Sequence, residues 1–148
     1  MNSAINVRPR PYNIPSKEAA ALADWFLRKY IEPYVEDEQP TFIDISFNKR
    51  LDSLGSCSDE QDNEYLVEVN PINGYYHMMK TLCHELIHVK QYRLGEMKSV
   101  TGGTKWKKKK YKLDTPYSEC PWEVEAFKLE GKIWGIWQRT KEGRCFLR

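Results

Sequence analysis

His84-Glu85-Leu86-Ile87-His88 sets two imidazoles four residues apart with a carboxylate beside the first. On a helix, residues four apart share a face, so both rings can reach one ion at about 2.0–2.1 Å, the usual zinc–nitrogen bond length. Glu85, one position after the first imidazole, leans toward an ion-bound water without having to coordinate the ion itself. Two fixed nitrogens, an open coordination position and a base near the water are what hydrolysis by a metal-activated water requires. Shuffling three His and fourteen Glu through 148 residues yields the pattern in only roughly 0.4 per cent of sequences, so accident is a weak rival.

A catalytic Zn²⁺ normally takes three protein ligands and a water. The one other histidine, His77, precedes His84 by two turns, roughly 10 Å along the helix. That is too far for shared coordination, so His77 reads as a helix-surface residue. The third ligand is therefore a carboxylate or thiolate from another element. Pro121-Trp122-Glu123-Val124-Glu125-Ala126-Phe127 is the best source, because the small Ala126 would let a second helix approach closely. Glu123 is the favoured ligand. Glu125, about 200° further round the helix, and Glu119 are the alternatives. Tyr117, Tyr92 and Tyr111 are candidates for stabilising a tetrahedral intermediate.

The elements that must position these groups follow from periodicity and punctuation. Residues 1–15 carry Pro9, Pro11 and Pro15 and read as an extended, partly disordered segment ahead of a single domain spanning 16–148. Ser16 is the expected N-cap of a helix running to about Ile31. Thr41–Phe47 alternates apolar and polar residues, as a half-buried strand does. A short strand is expected near Leu54–Ser58 and another over Glu64–Asn70, closed by Pro71 and the Asn73-Gly74 turn. The metal-motif helix then runs from about Tyr75 to Leu94, with Leu82, Leu86 and Val89 toward the core and Gly95 as its stop. Residues 95–116 read as a mobile loop or a hairpin. A last helix is expected over Pro121–Arg139, with Trp122, Trp134 and Trp137 in the core. The expected fold class is α+β: a small sheet of about three strands on the N-terminal, metal-motif and C-terminal helices.

Composition narrows the setting. No apolar run approaches the roughly 18 residues of a membrane span, and the N-terminus has neither the apolar stretch nor the cleavage site of a secretory signal. Cys57, Cys83, Cys120 and Cys145 form no C-x-x-C pair, so reduced thiols and a cytoplasmic location are expected. Cys83 reads as a buried thiol. The net charge of +2 hides an uneven distribution, with residues 1–95 at −4 and 96–148 at +6. Seven lysines between Lys98 and Lys112, with no acid among them, make a local field that a partner would sense. Lys105, Lys107, Lys108, Lys109, Lys110 and Lys112 could be a solvated loop or could recruit acidic protein segments. They could also contact nucleic acid non-specifically, with Trp106 or Tyr111 stacking on bases.

His84-Glu85-x-x-His88 with Glu123-x-x-Ala126 resembles the gluzincin pattern, in which a downstream helix supplies the third ligand as Glu. More narrowly, residues 40–138 resemble the short SprT-like metallopeptidases common in phage genomes, and are similar to ImmA/IrrE-type minimal zincins. The resemblance implies a zincin-like fold, one Zn²⁺ on His84, His88 and Glu123, and Glu85 as general base. It also implies a protein or peptide substrate laid beside a sheet edge, here Tyr65–Val69, in a cytoplasm that is the host's if the gene is a phage's. No His follows His88, and the cysteines form no zinc ribbon, so the third His and the ribbon of SprT proteins have no counterpart. A non-catalytic regulator using the same fold and its Lys-rich segment 98–112 is the alternative, and the retained Glu85 favours the enzyme.

Overall fold

The computed structural model describes residues 2–8 and 14–146, so Pro9 and Pro11 lie outside the described residues. Its main sheet contains β1 (Ala4–Val7), β2 (Phe42–Phe47), β3 (Gly55–Asp59) and β4 (Glu64–Val69), in spatial order β1-β2-β4-β3. The first, second and fourth run parallel, and β3 is antiparallel to β4. Period-two alternation buries Ile43, Ile45 and Phe47 on one face, beside Tyr65, Val67 and Val69. The register lines these up as rows, Val7–Ile45–Val67–Cys57 and Phe47–Val69–Gly55.

Two expectations are corrected here. The sheet has four strands rather than about three, because Ala4–Val7 is not a free segment but an edge strand on β2. Four residues are too few to carry a periodic signal. Tyr65–Val69, expected at the sheet edge, is part of β4, which is hydrogen-bonded on both sides, to β2 and β3. The edges are β1 and β3, and the Gly-Ser-Cys-Ser-Asp sequence of β3 has little strand propensity.

Helices α1 and α2 lie against that sheet, and α3 and α4 pack on the helices. Helix α1 (Ser16–Phe26) continues through a π-helical turn, Leu27–Ile31, and a 3-10 turn, Glu32–Tyr34. Pro15, not Ser16, occupies its cap position, and no side chain caps it. The long α2 (Gly74–Arg93) follows an Asn70 side chain that accepts from the Ile72 N–H at 3.1 Å. It stops before Gly95, whose φ of +75° fits the expected terminator. Met79, Leu82, Cys83, Leu86 and Val89 are all fully buried, which makes α2 the central helix of the core. Helix α3 (Pro121–Arg139) packs along it, with Ala126, Trp134 and Trp137 buried. A short α4 (Lys141–Arg144) closes the described chain.

Arg93 anchors the far end of α2. Its guanidinium donates to Thr41 Oγ1 at 2.9 Å, to both Asp37 oxygens at 2.6 and 3.0 Å, and to the Gln39 carbonyl at 2.7 Å. Residues 95–116 form an antiparallel meander of β5 (Met97–Val100), β6 (Gly103–Trp106) and β7 (Lys109–Lys112). Among the described residues, no helix is long and apolar enough to cross a membrane.

Candidate metal centre

The buried row Phe47–Val69–Gly55 ends in a residue without a side chain, and α2 fills the gap. A Cβ at position 55 would lie 2.6 Å from Thr81 Cγ2 and 2.8 Å from Glu85 Oε2. Glycine on β3 is therefore what lets the Glu85 carboxylate stand between helix and strand.

Next to it, His84 and His88 turn their Nε2 atoms toward a common point, 3.2 Å apart. Glu123, in the first turn of α3, brings Oε1 to 2.9 Å from His84 Nε2 and 3.0 Å from His88 Nε2. These edges are close to the roughly 3.3 Å that separates ligand atoms around a tetrahedral ion with bonds of 2.0–2.1 Å. His84, Glu85 and His88 each offer a ligand atom, all within 4.8 Å of one another, a group that could hold a metal ion. Of the three candidate carboxylates, Glu123 is the one that meets the imidazole pair. Glu125 instead accepts from Gln91 Nε2 at 3.1 Å, and Glu119 is exposed in the 3-10 turn Tyr117–Glu119.

Behind each imidazole stands a polar support that the sequence alone did not single out. His88 Nδ1 lies 2.7 Å from Gln91 Oε1, and His84 Nδ1 lies 3.3 Å from Glu130 Oε1. Gln91 is fully buried. Its amide nitrogen donates to the Trp122 carbonyl at 3.0 Å and to Glu125, which leaves its oxygen to accept the Nδ1 hydrogen of His88. With that hydrogen held behind, Nε2 faces the site. The signal was present, since Gln91 follows His88 by one turn and Glu130 follows Glu123 by two. Such spacings are common on any helix, however, and single out nothing by themselves.

Burial and charge tune the cluster. Burial pushes Glu85 up to about 7, against the pull of the neighbouring His88 and His84. Burial alone would lower His84, but its hydrogen bonds to Glu123 and Glu130 outweigh this and raise it to about 9. His88 is raised on the same balance, chiefly by Glu123. Glu123 is held well below the usual carboxylate range, because donors on His84, His88 and Tyr117 overcome its partial burial. A divalent ion held here would compete with protons for the imidazoles and Glu123.

A cleft of about 470 Å³ opens on these groups, walled by β3, Met97, Thr104 and Trp122. Tyr117 and Tyr92 line it, and the Tyr117 hydroxyl donates to Glu123 Oε1 at 2.8 Å. Tyr111 does not line it; its ring stands edge-on to Trp122 at 5.6 Å. Trp122 is therefore cleft wall rather than the core residue expected. Cys57 faces the cleft, Cys83 is fully buried as expected, and His77 is exposed on α2. No protein-family model, no curated protein and no solved structure matches this chain.

Proposed function

We propose that the chain is a zinc-dependent peptidase whose metal site is completed by Glu. The observation that carries this reading is the meeting of His84 Nε2, His88 Nε2 and Glu123 Oε1 at 2.9–3.2 Å beside the buried Glu85. His84, His88 and Glu123 would hold the ion, and two imidazoles with one carboxylate are a hydrolytic donor set for zinc. Zinc, when bound, supplies a Lewis acid that polarises a carbonyl and acidifies water.

The rest of the chemistry belongs to the chain. Glu85 takes the proton of the attacking water and delivers it to the leaving amine. Burial raises its affinity for a proton above that of a free carboxylate, the direction a base needs to take a proton from water. Tyr117, whose hydroxyl already donates into the site, is the candidate donor to the developing oxyanion. Among the described residues β3 pairs only with β4, and it lines the cleft, so its free edge is suited to receive an extended peptide main chain. That role passes to Gly55–Asp59 from the strand first expected to fill it. A regulator that merely kept the scaffold would have no use for a glycine that makes room for Glu85. Four free cysteines support a reducing, cytoplasmic setting, and the motif resemblance to short phage SprT-like and ImmA/IrrE-type zincins supports the same assignment.

The test is bound zinc together with cleavage of a panel of denatured proteins. Glu85→Gln should keep zinc and lose activity by about 10²–10⁴-fold, whereas Glu123→Gln should lose the zinc itself. Full zinc occupancy in Glu123→Gln would overturn the ligand assignment, and undiminished cleavage in Glu85→Gln would overturn the mechanism.

A further inference from the structure

The meander β5–β7 has two chemically opposite faces. On the inner one, Met97 and Thr104 line the cleft, while Trp106 and Tyr111 pack against Trp122. On the outer one, the register sets Lys98 opposite Lys105 and Lys105 opposite Lys110, with Lys112 two residues along from Lys110. All four are exposed. Adjacent strands lie about 4.8 Å apart, and like charges directly opposite one another destabilise a sheet. Among the described residues, none of the four has an ion-pair partner. Lys107 and Lys108 extend the charge at the β6–β7 turn. The fold builds a repulsive row and does not neutralise it.

We propose that the outer face of β5–β7 binds the phosphate backbone of nucleic acid without reading its sequence. All seven cations between positions 98 and 112 are Lys and none is Arg. Lysine binds phosphate as a mobile point charge that needs no fixed bidentate geometry. Lysine is also depleted in protein interfaces, which rely on aromatic and Arg anchors. Half-buried Val100 is the one apolar side chain that the strands of this face offer, so it holds no such anchor and no wedge for a lipid surface. Base stacking by Trp106 or Tyr111 is corrected as well. Trp106 is 8 % exposed and both rings belong to the inner face, so contact is with the backbone. This surface is separate from the cleft, and the proposal does not depend on the peptidase reading.

The full-length chain is titrated against fluorescently labelled oligonucleotides of mixed sequence, as duplex DNA and as single-stranded DNA and RNA, and binding is read by anisotropy. Four phosphate contacts on duplex predict a log–log salt slope of about −3.6, or about a hundredfold loss of affinity between roughly 50 and 200 mM salt. Replacing Lys98, Lys105, Lys110 and Lys112 by Gln should cost at least about tenfold at low salt and flatten the slope. A charge-matched control with Gln at Lys17, Lys49, Lys132 and Lys141 should stay within about twofold of wild type. Thermal melting confirms that both variants fold, and the pair Lys105→Gln/Lys110→Gln should give an intermediate slope. No binding at low salt would overturn the proposal, and so would an equal loss in the control. Tighter binding to poly-glutamate or to phosphatidylserine vesicles than to any oligonucleotide would overturn it too.

Discussion

Gln91 and Gly55 bear on the candidate metal centre without belonging to its proposed ligand set. Gln91→Leu preserves bulk but leaves His88 Nδ1 without its 2.7 Å acceptor, and zinc affinity should fall about 10–100-fold in a chelator competition. Unchanged affinity would mean that the amide supports only packing. Gly55→Ala tests the other side of the site. Its Cβ would press on Thr81 and on Glu85 Oε2, so kcat should drop about a hundredfold while zinc is retained. Wild-type turnover would show that Glu85 has room to spare. His84, Glu85 and His88 could be read from sequence because one helix fixes their relation. Glu123 needed a guess about which helix crosses α2. Gln91 and Glu130 acquire meaning only once that crossing exists.

Arg93 closes α2 against the connector that leads into β2, and its planar fork makes bonds in several directions at once. Arg93→Lys keeps the charge but not the fork, and should cost about 1–3 kcal/mol in denaturant unfolding. Relieving the lysine row should do the opposite. Lys105→Thr removes the centre of the row and improves strand propensity, so the melting temperature of the free protein should rise by about 1–3 °C. β2, β4, α2 and α3 were readable because each carries its own apolar period over six residues or more. β1 and β3 were harder, since one is four residues long and the other mostly Gly and Ser. The meander was hidden by its own charge, because consecutive lysines mask the alternation of Met97, Trp106 and Tyr111 on its inner face.

Across the molecule, acid should weaken the fold through a paired carboxylate. The Arg93 hydrogen bonds hold Asp37 below the ordinary aspartate range. A carboxylate lowered in the folded state contributes fully above the ordinary value, and that contribution is lost as pH falls through the folded one. Melting temperature should therefore decline between about pH 5 and 3 more steeply in wild type than in Asp37→Asn, which is weaker from the start. Parallel curves would exclude Asp37 as a source of acid sensitivity.

The two sheets also protect their edges differently. β7 ends the meander with exposed Lys109, Lys110 and Lys112, charges that deter another strand from docking. β3 cannot be guarded that way if its edge is to receive substrate, and Gly, Ser and Asp limit its appeal only by poor strand propensity. When the protein is concentrated, self-association should therefore begin along Gly55–Asp59, where two copies would each treat the other as a guest strand. A short peptide held in the cleft should keep the solution clear.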